Sequence, residues 1–145
     1  MSSYIQIPQK AEYPELVAIW ESSVRASHHF LTEADIQFFK PLVLNEYLQA
    51  VDLFCIRSDN GSISGFMGLS EDKIEMLFVD PVSFGKGIGK SLVRFAINEK
   101  GINKVDVNEQ NEQAVGFYKK AGFKVIDRSE LDGMGKAYPL LHMKL

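Results

Sequence analysis

Phe84-Gly85-Lys86-Gly87-Ile88-Gly89-Lys90 combines the residue types that hold a bulky anion. Glycines at alternate positions leave backbone N–H groups uncovered, so an anion can approach the main chain closely. The amphipathic stretch that follows predicts a helix whose positive dipole end points at the same place. Lys86, Lys90 and Arg94 add three positive charges, with no acid between Gly85 and Arg94. The chemistry is that of a phosphate cradle.

Two familiar phosphate loops fit poorly. The nucleotide-hydrolysing pattern needs Gly, four residues, then Gly-Lys-Ser/Thr. Gly89-Lys90-Ser91 supplies its end, but Phe84 occupies the first glycine position. The dinucleotide pattern Gly-x-Gly-x-x-Gly starts well at Gly85 and Gly87, then meets Lys90; the register from Gly87 meets Leu92. Asp106 does lie about 20 residues on, where a ribose-binding acid would stand.

The elements around the loop follow from periodicity and punctuation. Tyr4 to Ile7 reads as an opening strand. Leu16, Trp20 and Val24 recur at helical spacing from Pro14 to about Ala26, with Trp20 as a core residue. A second helix is predicted from Glu33 to Tyr47, capped by Thr32 and ended or kinked at Pro41. Val51–Arg57 and Ser62–Leu69 form a hairpin about the Asp59-Asn60-Gly61 turn. In the next strand, Ile74 to Val79, simple alternation puts Ile74, Met76 and Phe78 on one face and Glu75, Leu77 and Val79 on the other. After the loop come a helix from Ile88 and a short strand, Lys104 to Val107. A helix capped by Asn111 follows, with Lys119 and Lys120 in its last turn and Gly122 just past it. Phe123–Asp127 and Tyr138–Lys144 are closing strands. The order β-α-α-β-β-β-α-β-α-β-β predicts an α/β class with a mixed α+β sheet, antiparallel in front and with a parallel crossover after the loop.

Both the loop and a later run resemble the GNAT acyltransferase superfamily. Its first motif, Arg/Gln-x-x-Gly-x-Gly/Ala after a strand ending in Val-x-Pro, is similar to Val79-Asp80-Pro81 followed by Gly87-Ile88-Gly89. Its second, Asn-x-x-Ala-x-x-Phe-Tyr-x-x-x-Gly-Phe, is similar to the run from Asn111 to Phe123. The run Val107 to Lys124, with Gly135 to Leu140, most resembles the bacterial YjaB-type branch. One position departs from the pattern: Phe84 stands where Arg or Gln is expected, removing a side-chain donor that Lys86 or Lys90 would replace as a point charge.

The resemblance implies one N-acetyltransferase domain over residues 1–145, using acetyl-CoA with no metal and direct attack by a primary amine. Backbone N–H groups of Gly85, Lys86, Gly87, Ile88, Gly89 and Lys90 would hold the pyrophosphate, with Phe84 beside them in the coenzyme site. Leu77, Phe78 and Val79 would pair with pantetheine along a strand edge, one N–H polarising the acyl carbonyl. Asn111 would contact pantetheine as well as cap its helix, and Tyr118 would serve as general acid. With reference pKa values of about 10 and 8.5, full transfer from a phenol to a thiolate is uphill by roughly 2 kcal/mol unless the Tyr118 pKa is lowered. Glu75, on the Leu77 face, is the candidate base through a water. His28, His29 and Tyr138 are candidate acceptor contacts. The acceptor class spans small-molecule amines and protein lysines or N-termini, with the chain a monomer or homodimer. The reading from a different class is a noncatalytic acyl-CoA-binding sensor, to which Phe84 lends weight.

Bulk properties agree with a cytoplasmic protein that binds neither nucleic acid nor membrane. The chain has 145 residues, 46% apolar and 24% charged, with a net charge of −3, so broad nucleic-acid affinity is not expected. No apolar run approaches ~18 residues, and Met1 to Lys10 carries no signal pattern. The single cysteine, Cys55, excludes an internal disulfide, lies in an apolar run and reads as core.

Overall fold

The computed structural model describes residues 4–145, so the start of the Met1–Lys10 reading lies outside it. Among the described residues seven strands form one sheet: β1 (Ile5–Gln6), β2 (Asp52–Arg57), β3 (Ile63–Ser70), β4 (Lys73–Val79), β5 (Lys104–Asn108), β6 (Lys124–Ser129) and β7 (Leu140–Lys144). The helices are α1 (Tyr13–Ser27), α2 (Glu33–Leu42), α3 (Ile88–Lys100) and α4 (Glu112–Lys120). Strand order across the sheet is β1-β2-β3-β4-β5-β7-β6, so the last strand inserts between β5 and β6. Every pairing is antiparallel except β4 with β5.

Each sheet face carries its own core, because strand side chains alternate. On one face Leu16, Trp20 and Val24 of α1 and Ile36 of α2 pack over Leu53, Cys55, Phe66 and Met76. On the other, Ile88, Leu92, Val93 and Ala96 of α3, with Tyr118 of α4, pack over Phe54, Ile56, Met67, Val105 and Met143. Close approach of α3 to β3 requires Gly65, where an added Cβ would lie 2.7 Å from Ile88 Cγ2. Pro41 acts as expected. The α-helical pattern ends one residue later and widens into a π turn, Val43–Tyr47, because proline has no N–H to give the preceding turn.

Two features of β4 create the site. Its parallel pairing with β5 comprises only Lys73 with Lys104 and Ile74 with Val105, after which the strands diverge. The register with β3 also shifts between Gly68, opposite Met76, and Leu69, opposite Ile74, leaving Glu75 as the extra residue of a bulge. That bulge corrects the expected alternation. Ile74 joins the α3-side core with Leu77 and Val79, while Glu75 faces the other way with Met76 and Phe78. A bulge breaks the two-residue period and re-aims the side chains that follow it. Among the described residues no helix is long and apolar enough to cross a membrane.

Candidate active site

Two cavities open on either side of the divergent half of β4. The smaller, about 340 Å³, is lined by Leu77, Phe78 and Val79 of β4, by Phe84, Gly85, Gly87, Ile88, Gly89 and Lys90, and by Asn111, Phe117 and Tyr118. The larger, about 500 Å³, lies over Glu75, Met76 and Phe78. His28 and Phe78 line both, so the two cavities share a wall.

The glycine loop has the geometry of an anion seat. Gly85 and Gly87 sit at φ +78° and +80°, a region costly for any residue with a Cβ. Gly87 caps α3, and the first helical bond runs from Ser91 N–H to Gly87 O at 3.0 Å. The N–H groups of Ile88, Gly89 and Lys90 therefore have no partner within the helix. Lys86, Lys90 and Arg94 make no ion pair among the described residues, leaving their charge available to an anion. Two details differ from expectation. Lys86 N–H turns back to Ser83 O at 3.4 Å, and the Lys86 side chain does not line the cavity. Phe84 N–H likewise donates to Pro81 O at 3.1 Å, so the residue, 44% exposed, lines the cavity without bringing it a free backbone donor.

Asn111 does two jobs. Its Oδ1 accepts from Ala114 N–H at 3.1 Å, capping α4. That fixes the amide so that Nδ2 donates to His28 Nε2 at 3.3 Å. His28 Nδ1 in turn meets Ser27 Oγ at 2.8 Å, and the Ser27 hydroxyl donates to Ser23 O at 2.7 Å. The only consistent proton placement is a neutral His28 with its hydrogen on Nδ1. Burial, with the nearby His29 charge second, pushes the His28 pKa down to about 4. His28 is thus a neutral partition, packed between the rings of Phe30 at 5.3 Å and Phe78 at 6.4 Å.

Tyr118 is buried against Phe117 at 5.1 Å and Phe123 at 5.7 Å, and lines the smaller cavity. Its hydroxyl has no hydrogen-bond partner among the described residues, and burial pushes its pKa above the ordinary phenol value. A lowered pKa, which proton surrender would need, is therefore not what this site provides. The phenol is held as a neutral hydrogen-bond donor.

In the larger cavity Glu75, Asp106 and Asp132 are the charged lining residues, and among the described residues no Lys or Arg lines it. Asp106 is held on both oxygens: by His142 Nδ1 at 2.7 Å and by Lys73 Nζ, which also lies 3.9 Å from Glu75. His142 Nε2 lies 2.6 Å from Ser129 Oγ. Trp20, Phe39, Tyr47 and Met134 supply apolar wall. Tyr138, the third candidate acceptor contact, lines this cavity, and its hydroxyl donates to Asp35. His29 is exposed and lines neither cavity, unlike its expected place beside a substrate. Sequence reasoning missed Asp35, Asp132 and the Asp106–His142–Ser129 chain. Asp106 was visible only as a misplaced ribose acid. Among the described residues no three His, Cys, Asp or Glu side chains converge as metal ligands.

A family model described as Acetyltransferase (GNAT) domain matches residues 21–145. The chain is 46% identical, over 91% of its length and 90% of the relative, to the peptidyl-lysine N-acetyltransferase YjaB of Salmonella typhimurium strain LT2. The solution structure of apo-form YjaB from Escherichia coli is 43% identical, with a TM-score of 0.87 over 97% of this chain and 95% of that one. The PaiA N-acetyltransferase of Thermoplasma acidophilum, solved in complex with coenzyme A, shares the fold at 23% identity. Its TM-score is 0.73, with all of both chains covered.

Proposed function

We propose, for a chain that belongs to the GNAT acetyltransferase family and is an N-acetyltransferase, that its cosubstrate is acetyl-CoA and its acceptor a lysine side chain of a polypeptide. The observation that carries this reading is the pair of cavities meeting at His28 and Phe78 across the open edge of β4. The glycine-loop cavity suits a pyrophosphate with an extended arm. The carboxylate-lined cavity, with apolar walls and no cationic side chain, suits an ammonium on an alkyl stem. Its relatives' name, peptidyl-lysine N-acetyltransferase, agrees with that chemistry.

The geometry supports a division of labour. Free N–H groups at Gly87 to Lys90 and the α3 dipole hold the pyrophosphate. Backbone groups of Leu77 to Val79, unpaired on the β5 side, take the pantetheine, and one N–H polarises the thioester carbonyl. The amine must arrive neutral, since an ammonium has no lone pair. Glu75 takes its proton through water, because its bulge position aims it into the acceptor cavity. The nitrogen attacks, the C–S bond breaks as the proton remaining on that nitrogen passes through water to the departing sulfur, and Tyr118 donates a hydrogen bond that stabilises the sulfur's developing charge. His28, neutral and already accepting from Asn111, sets the boundary between the two substrates and takes no proton.

Incubating the protein with acetyl-CoA and a lysine-containing peptide, and reading free thiol and peptide mass, tests the proposal. Thiol release should match one acetyl group added at the lysine Nζ. Coenzyme binding without turnover on any peptide or amine would sink it.

A further inference from the structure

Residues 130 to 139, between β6 and β7, belong to no strand or helix, yet Asp132, Gly133, Met134 and Tyr138 form one wall of the larger cavity. The facing wall comes from α2 and the turns flanking it, through Leu31, Phe39, Val43 and Tyr47. A carboxylate bridges the two walls. Asp35, in the first turn of α2, accepts from Lys136 Nζ at 3.0 Å on Oδ1 and from the Tyr138 hydroxyl on Oδ2.

The surroundings make this a clasp rather than a chance surface pair. The Asp35 side chain is 15% exposed, and its backbone is pinned by Asp35 N–H donating to the Thr32 cap at 3.1 Å. Lys136 Nζ sits 4.5 Å over the Phe38 ring, and the Tyr138 ring lies 5.7 Å from Phe30. Asp132 braces the strap internally, its Oδ1 accepting from Met134 N–H at 3.0 Å and Lys136 N–H at 2.9 Å. Neither Asp35 nor Lys136 lines either cavity. Whatever they do for catalysis they do through the strap.

We propose that Asp35 is a positioning residue for the acceptor: by clasping the 130–139 strap to α2 it sets the width of the acceptor cavity, without touching the coenzyme cavity. This rests on the assignment of the larger cavity to the acceptor lysine. A charge-assisted hydrogen bond and a phenol hydrogen bond converging on one carboxylate hold a segment that lies outside the sheet, its far end tied there by Glu109 N–H donating to Pro139 O at 2.9 Å. A strap free to swing away leaves the lysine stem without one apolar wall.

The test compares wild type, Asp35→Ala, Tyr138→Phe and the double variant, with acetyl-CoA and a lysine peptide. Asp35→Ala should raise the peptide KM about tenfold, as a loosened positioning wall does, with the acetyl-CoA KM within about twofold. Tyr138→Phe keeps the ring on Phe30 and should give a smaller rise that vanishes in the Asp35→Ala background. Amide hydrogen exchange over residues 130–139, measured with no substrate, should quicken in Asp35→Ala while α3 and β4 stay protected. An unchanged peptide KM, or both KM values rising together, overturns the proposal. If wild type acetylates no lysine peptide, the acceptor assignment falls. Strap exchange then judges the clasp alone: no difference between wild type and Asp35→Ala overturns it.

Discussion

Tyr118 and His28 show how burial decides what a titratable group can do. Each has its charged form disfavoured by desolvation, which pushes the phenol pKa up and the imidazole pKa down. A phenol whose pKa burial has raised stays protonated, and a hydrogen bond donated to a thiolate is the service it gives at least cost. Tyr118→Phe should therefore lower kcat on the order of a hundredfold, with coenzyme affinity and stability nearly unchanged. The hydroxyl has no protein partner to lose, and the ring keeps its packing. A full-rate Tyr118→Phe enzyme in a steady-state assay would remove Tyr118 from the mechanism. For His28, the unfolded chain takes up a proton below about pH 6.5 that the folded chain refuses until about pH 4. Its contribution to stability is complete above the unfolded pKa and falls as pH drops through that window, by at most about 3 kcal/mol. Protonation would also set Nε2–H against the Asn111 amide. Urea unfolding near pH 7 and near pH 5 should show wild type losing about 2 kcal/mol more than His28→Gln. Equal losses in the two proteins would mean the imidazole is not held neutral.

At the scale of elements, what the sequence made legible was whatever lies close together along the chain. The glycine loop and its helix, the Asn111 cap and the Gly122 stop are local patterns. Gly122 sits at φ +107°, and Phe123 N–H reaches back to Tyr118 O at 3.0 Å, as a glycine-terminated helix requires. The bulge at Glu75 was not legible, because period two is the only rule available before β3 and β4 are paired. Insertion of β7 between β5 and β6 was equally hidden: each closing strand is short and could pair on either side. The acceptor wall was hardest, since Asp35 and Tyr138 lie 103 residues apart and no spacing rule joins them. The loop offers the sharpest test of an element. Gly87 sits at φ +80° with open space around its Cα, so Gly87→Ala meets a backbone penalty and no clash. It should cost roughly 1–2 kcal/mol in a thermal melt. Coenzyme affinity, read by calorimetry, should fall as well, because the backbone relaxes away from the N–H array. Lost stability with unchanged coenzyme affinity would show that the loop is not the pyrophosphate seat.

The whole molecule is a sheet opened along one seam, with a different cavity on each side of the opening. The β4–β5 pairing stops at Ile74 and Val105, and Leu77 to Val79 run on with one backbone edge free. In the proposed assignment, coenzyme and acceptor meet across β4 from opposite sides, with His28 and Phe78 as the wall that the two cavities share. Such an arrangement requires both substrates in place at once and leaves no role for an acetylated enzyme. The lone cysteine agrees. Cys55 is fully buried in the α1-side core, lines neither of the two cavities, and burial raises its pKa, so it offers neither access nor thiolate. Initial rates at varied acetyl-CoA and fixed peptide levels should give intersecting double-reciprocal lines, the pattern of a ternary complex. Intact mass after incubation with acetyl-CoA alone should show no acetyl adduct at Cys55. Cys55→Ala should keep its turnover, losing only the packing of one small buried side chain, on the order of 1 kcal/mol in stability. Parallel lines together with an acetyl-CoA-dependent adduct would demand a covalent relay, and the seam would then have to be read as an entry path for one substrate at a time.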